Sequence, residues 1–187
     1  MHDLLIRVRR APERLLQEWR RYKTREVLRG RSRPGTLLVV CRGNLCRSPF
    51  AAALLRQSLG PVGVRVDSAG FVRPSRSVPP EAVAAAARRG VDLGNHLSHL
   101  LTADAARAAD LIVVMDPVQQ RTVRERFGRA ARDIIVLADL DPAPPDGAGV
   151  RTIRDPIGQG PDVFETSYAR IERCVAALVS VLTGEAP

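Results

Sequence analysis

Residues 36–59 read T-L-L-V-V-C-R-G-N-L-C-R-S-P-F-A-A-A-L-L-R-Q-S-L. Thr36 to Val40 is a short apolar, partly β-branched run of the buried-strand kind, and from Ser48 onward apolar residues recur at helical spacing behind a Ser and a Pro. A strand must therefore pass into a helix through residues 41–47. That connection opens on a thiol, turns at Gly43-Asn44 and closes on Arg47. A loop wrapped in front of a helix N-terminus aims backbone N–H groups inward, and the helix dipole adds positive charge, which makes a cradle for a phosphate-sized dianion. The same donors, with Arg47, favour the thiolate of Cys41. A thiolate held against a bound phosphate is an activated nucleophile, and Ser48 can donate its hydroxyl to the sulfur. A Cys followed six residues later by an Arg is a weak signal in so Arg-rich a chain. The whole string, set between strand and helix, is a strong one; its plain alternative is a tight turn with a structural cysteine.

Further apolar runs at residues 64–68, 111–115 and 134–137 read as strands. Helical patterns occupy residues 81–89, 118–127 and 162–182, the last with Phe164, Tyr168, Ile171, Val175 and Leu178 on its inner face and Cys174 as a small buried hydrophobe. Strands alternating with helices argue for an α/β, doubly wound, three-layer fold on a four-stranded parallel sheet. Ligands in such folds sit at the carboxyl ends of strands, which is where the Cys41 loop falls.

At 187 residues and 45% apolar content the chain suits one domain with a real core. No apolar run approaches the length of a bilayer span and the N-terminus lacks a signal-peptide pattern, so a cytoplasmic location is expected. Three cysteines do not make a disulfide framework, and Cys41 and Cys46 lack a second Cys/His pair at zinc spacing, so no metal is expected. The net charge of +9 would suggest nucleic acid, but residues 1–33 hold 11 Arg or Lys against 4 Asp or Glu, and the remainder holds 18 against 16. A near-neutral body with a basic arm is not a nucleic-acid pattern.

The arm, residues 1–34, is expected as a basic helical extension to a domain spanning 35–187. Pro12 suits a helix start and Gly30 a helix end, and Leu15, Leu16, Trp19, Tyr22 and Val27 form an incomplete apolar stripe. Such a helix fits an anionic membrane surface, a protein partner or its own domain. Residues 32–35 read as a hinge, and residues 139–149 as a mobile loop. Cleaving a phosphate ester also needs a proton for the departing oxygen, and three Asp-Pro pairs compete for that role: Asp116 after a strand, Asp141 in the loose loop, and Asp155 before the last helix.

The run C-R-G-N-L-C-R-S-P resembles the phosphate-binding signature of the low-molecular-weight protein tyrosine phosphatases, Cys-x-Gly-Asn-x-Cys-Arg-Ser-Pro. The resemblance runs from about Thr36 to the last helix. It implies a cofactor-free phosphatase acting on phosphotyrosine in proteins through a cysteinyl-phosphate, with Cys41 as nucleophile, Arg47 holding the phosphoryl oxygens and Asp155 as acid, then base. Asp116 is then a helix cap. Arg42, Gly43, Asn44, Leu45, Cys46 and Ser48 form the rest of the substrate cradle, with Asn44 bracing its turn and Cys46 able to pair reversibly with an oxidised Cys41. His96 falls on a family histidine with a packing or hydrogen-bonding role. Where the family places aromatic residues after Asp-Pro, this chain reads Ile157-Gly158-Gln159-Gly160, so the aromatic surface at the entrance is expected from Phe71, with Tyr168 as a second candidate whose favoured place is the core. A bacterial branch that dephosphorylates arginine shares the non-aromatic continuation but carries Thr at the place of Leu45, an apolar residue better suited to an aryl ring. Ala52 replaces a family Glu. Alternatives are a phosphoarginine phosphatase, an arsenate reductase of the same fold, and an inactive phospho-residue binding module. The thioredoxin-coupled reductases need closely spaced relay cysteines, and none lies between Cys46 and Cys174.

Overall fold

The computed structural model describes residues 2–144 and 151–184, with side chains at residue 13 and from residue 15 onward. Four strands, β1 (Thr36–Cys41), β2 (Arg65–Gly70), β3 (Leu111–Val114) and β4 (Ile134–Val136), form one parallel sheet in the order β2-β1-β3-β4. The two central strands are the most continuously apolar, as burial on both faces demands. Helix α2 (Arg47–Leu59) packs against α6 (Pro161–Thr183), which also receives α3 (Pro80–Ala87); α4 (Ala103–Ala108) and α5 (Pro117–Phe127) pack on each other. This is the expected three-layer α/β arrangement. Only α4 escapes the sequence pattern: six residues are too few to show a helical period, although Thr102 caps it by accepting from Ala105 N at 3.1 Å.

Helix α1 spans His2–Arg29, so it starts well before Pro12 and continues through it, against the expected start there. Proline has no N–H to donate, which forfeits one intrahelical hydrogen bond, and the turns on either side carry the helix across. Its C-terminal half docks on the domain. Gln17 Nε2 donates to Ala138 O at 3.1 Å, Arg21 Nη1 donates to Pro142 O at 3.3 Å, and Leu28 is buried. The expected hinge at 32–35 is tied down. Arg31 Nη2 donates to Asp110 O at 2.6 Å, while the amides of Gly35 and Thr36 both donate to Asp110 Oδ2 at 2.9 Å. Two N–H groups entering an interior strand need an acceptor, and Asp110 supplies it.

The stretch expected to be mobile is likewise held as far as Ala143, whose amide donates to Asp141 Oδ1 at 3.1 Å. Asp139 takes two 2.7 Å bonds from Arg151, and the fully buried Asp141 accepts from Arg170 Nε at 2.8 Å and Arg173 Nε at 3.3 Å. The remainder of that stretch, 145–149, lies outside the described residues. Asp141 is thus a structural ion-pair partner rather than a free acid. Asp116 is the N-cap of α5, accepting from Gln119 N at 2.8 Å and Gln119 Nε2 at 2.6 Å, in keeping with its expected capping role.

Candidate active site

β1 delivers Cys41 to its carboxyl end, and the chain turns back through residues 42–46 to start α2 at Arg47. No side chain caps α2, so its first N–H groups face the loop. The turn needs a left-handed residue, and Asn44 supplies it with φ 53°, a conformation Asn tolerates better than most. Asn44 is fully buried and fully used. Its Nδ2 donates to Ser48 Oγ and Ser68 Oγ at 2.9 Å each, its Oδ1 accepts from His99 N at 2.8 Å, and His96 Nε2 lies 3.2 Å from that oxygen and 3.0 Å from Asn44 O. Both neighbours of His96 Nε2 are acceptors, so this nitrogen carries the ring proton. The expected bracing by Asn44 is present, with three strangers to the signature, Ser68, His96 and His99, as its anchors.

Cys41 is buried, and its sulfur accepts from Ser48 Oγ at 3.0 Å and Asn44 N at 3.3 Å. Arg47, 4% exposed, lies across the loop: Nη1 donates to Ile153 O at 3.0 Å and Nη2 pairs with the Asp155 carboxylate. Arg47 Nε is buried with no hydrogen-bond partner among the described residues. Asp155, half-exposed, also receives Ile157 N at 3.4 Å. The thiol, the guanidinium and one of the three competing carboxylates therefore meet at one loop, 114 residues apart in sequence at the extremes.

Arg42 is exposed and Gly43 half-buried, so both border the open side of the loop. Leu45, at 1% exposure, is turned into the core and offers no wall to an incoming ring; its apolar side chain is satisfied by the interior. Cys46 is also buried, and burial, followed by the neighbouring Cys41, pushes its thiol far above the ordinary range. It is free, as are Cys41 and Cys174. Phe71 is half-buried, its amide donating to Arg42 O at 2.8 Å. Tyr168 is fully buried and stacks on Phe50 with ring centroids 4.0 Å apart, as its core placement requires. Beside the half-buried Phe71, apolar surface at the entrance comes from Val72, Leu97, Leu100 and Ile157, each 40–49% exposed, on segments flanking the loop.

Gly70 is the site residue that the signature does not announce. A Cβ there would lie 2.8 Å from Asn44 N and 2.9 Å from Gly43 C, so β2 approaches the loop as closely as backbone can. Gly70→Ala should push the loop off its seat and cost about 1–3 kcal/mol, read from the denaturant midpoint. An unchanged midpoint would show that the loop yields freely.

Burial lowers the His96 pKa below that of an ordinary histidine, opposed in part by its bond to Asn44 O. The folded ring therefore takes up a proton less readily than the unfolded one. Its stabilising contribution is complete above about pH 6.5 and is lost as pH falls from there through the folded value. Thermal melting should drop between neutral pH and about pH 5, and His96→Gln should flatten that drop. An equal slope in both proteins would assign the effect elsewhere.

A sequence profile described as low molecular weight phosphotyrosine protein phosphatase matches residues 36–186. The chain is 38% identical over 145 residues to a protein of Ralstonia nicotianae named probable low molecular weight protein-tyrosine-phosphatase EpsP, covering 77% of this chain and 93% of that one. It is 29% identical over 149 residues to a protein-arginine-phosphatase of Bacillus subtilis, covering 78% and 95%. The crystal structure of the Erwinia amylovora tyrosine phosphatase AmsI superposes with a TM-score of 0.70 at 29% identity, covering 79% of this chain and 92% of that one. The profile match begins at residue 36 and leaves α1 outside it.

Proposed function

The chain belongs to the low molecular weight phosphotyrosine protein phosphatase family, and from that premise we propose that residues 35–187 form a phosphatase domain hydrolysing phosphotyrosine in proteins, with residues 1–34 as its basic extension. Cys41 is the nucleophile, Arg47 the phosphoryl clamp and Asp155 the general acid and then base. The observation that carries this reading is the convergence of two donors on Cys41 Sγ with Arg47 and Asp155 paired across the same loop.

The chemistry follows from those contacts. A phosphoryl dianion entering the loop competes with Asp155 for Arg47, whose Nη2 is already aimed there and whose Nε is a buried donor without a partner among the described residues. Asp155, released from Arg47 and taking a proton from solvent, donates that proton to the departing oxygen as the Cys41 sulfur bonds to phosphorus and the ester P–O bond breaks. Water then attacks the cysteinyl-phosphate, gives its proton to Asp155 and returns the thiolate, which the Ser48 hydroxyl stabilises as it leaves. Asp116 and Asp141 have their oxygens committed to a helix cap and to Arg170 and Arg173. Cys46, kept protonated by burial, is a slow partner for an oxidised Cys41. Among the described residues no helix is long and apolar enough to cross a membrane, and a cytoplasmic, reducing setting fits a working thiol.

Phosphotyrosine is favoured over phosphoarginine by the apolar rim, Phe71, Val72, Leu97, Leu100 and Ile157, together with the exposed Arg42 beside the cradle. An aryl ring gains by covering such a rim, whereas a guanidinium would be desolvated beside a cation. Comparing kcat/KM on one peptide sequence carrying either phosphotyrosine or phosphoarginine tests this. A preference for phosphotyrosine is expected, and the opposite ranking would place the chain with the arginine phosphatases.

A further inference from the structure

Helix α1 faces the domain with its less apolar side. Gln17 is buried and bonded to Ala138 O, Arg21 reaches Pro142 O, and among the helix's described side chains Leu28 is the one large apolar residue that is buried. Leu15, Trp19 and Tyr22, spaced four and three apart, share the opposite face and are 66%, 55% and 57% exposed. Leu16 and Val27 widen the stripe at 44% and 42% exposed. A helix serving only to complete the core would be rotated to bury these side chains. We propose that this outward face seats the protein on an anionic lipid surface.

Charge chooses among the possible occupants. Residues 1–33 carry a net +7, so two such helices laid face to face repel, whereas an anionic surface attracts them. Lys23 stands beside the stripe, its Nζ 6.0 Å from the centroid of the Trp19 ring, and further along the helix the exposed Arg29 pairs with the likewise exposed Glu26 at 3.6 Å, a surface pair that headgroup phosphates can compete with. Long basic side chains next to Trp and Tyr suit the boundary between headgroups and acyl chains: the rings carry an apolar body with a polar handle, and the cations reach phosphates. The helix lies against the domain at its own C-terminal half, so the seated enzyme stays attached as one unit rather than on a tether.

Trp19 is the chain's single tryptophan and reports on this face directly. Full-length protein is titrated with phosphatidylcholine vesicles with or without about 30 mol% phosphatidylglycerol, at low salt. The Trp19 emission should shift to the blue and be quenched by bromine on the acyl chains with the anionic vesicles only. Raising salt from about 0.1 to 0.5 M should weaken partitioning on the order of tenfold. Leu15→Gln with Tyr22→Gln keeps the reporter and should weaken it on the order of a hundredfold, with unchanged melting as the check on folding. Lys23→Glu with Arg29→Glu, which leaves the stripe intact, should also weaken it. Unchanged emission with anionic vesicles overturns the proposal, as does equal binding to neutral ones. So does a dimer in sedimentation that Leu15→Gln with Tyr22→Gln dissolves, which would make a second copy the occupant, or binding to single-stranded RNA in preference to vesicles. None of these readouts depends on catalysis.

Discussion

Cys41→Ser should lose turnover of a simple aryl phosphate by a factor on the order of 10⁴ or more, while still binding inorganic phosphate or vanadate. The two halves of that result come from different parts of the loop. In the proposed mechanism, binding rests on Arg47 and the amides at the start of α2, which the substitution leaves alone, and turnover on a sulfur that accepts from Ser48 Oγ and Asn44 N; an alcohol in its place is hardly ionised at neutral pH. Loss of both binding and turnover would mean that the substitution collapsed the cradle. Retained turnover would remove Cys41 from the chemistry.

Asp155→Ala should lower kcat by about 10² to 10⁴ for phenyl phosphate and far less for an ester of an acidic nitrophenol. A general acid matters in proportion to how poorly the departing oxygen carries negative charge, so the dependence of rate on leaving-group pKa should steepen. The variant also deprives Arg47 of its partner in the empty site, so phosphate should bind no worse. Asp116→Asn should instead change rates uniformly and cost stability, because Asp116 caps α5 and accepts from Gln119 twice. Leaving-group sensitivity appearing only with Asp116→Asn would move the acid to the end of β3.

What the sequence disclosed was local. The strand, turn and helix of residues 36–59 are legible because apolar periodicity and the Gly-Asn turn are properties of neighbours, and the remaining strands and long helices follow for the same reason. Contacts between distant segments were not legible. The segment before β1 reads as a hinge until Asp110 is seen to hold its two amides, and Asp141 reads as a loop residue until Arg170 and Arg173 close on it. Leu45 sits in the signature, yet its exposure depends on how the loop folds over the core. Gly70 and Ser68 are ordinary strand residues until β2 is placed against the loop, and no periodicity marks that approach. The face that α1 turns outward has the same character, since an apolar stripe alone fits its own domain as well as a surface, and the docked Gln17 with the exposed Leu15, Trp19 and Tyr22 shows which way it turns.

In the proposed mechanism phosphorus passes through a bond to the Cys41 sulfur. Asp155→Ala, given an activated nitrophenyl phosphate, still expels its good leaving group but lacks the base for the second step, so the cysteinyl-phosphate should accumulate. Rapid quenching followed by mass spectrometry of the peptides should find one phosphoryl group per chain, on Cys41. A nitrophenol burst with no phosphorylated cysteine, or phosphate carried by any other residue, would contradict the account.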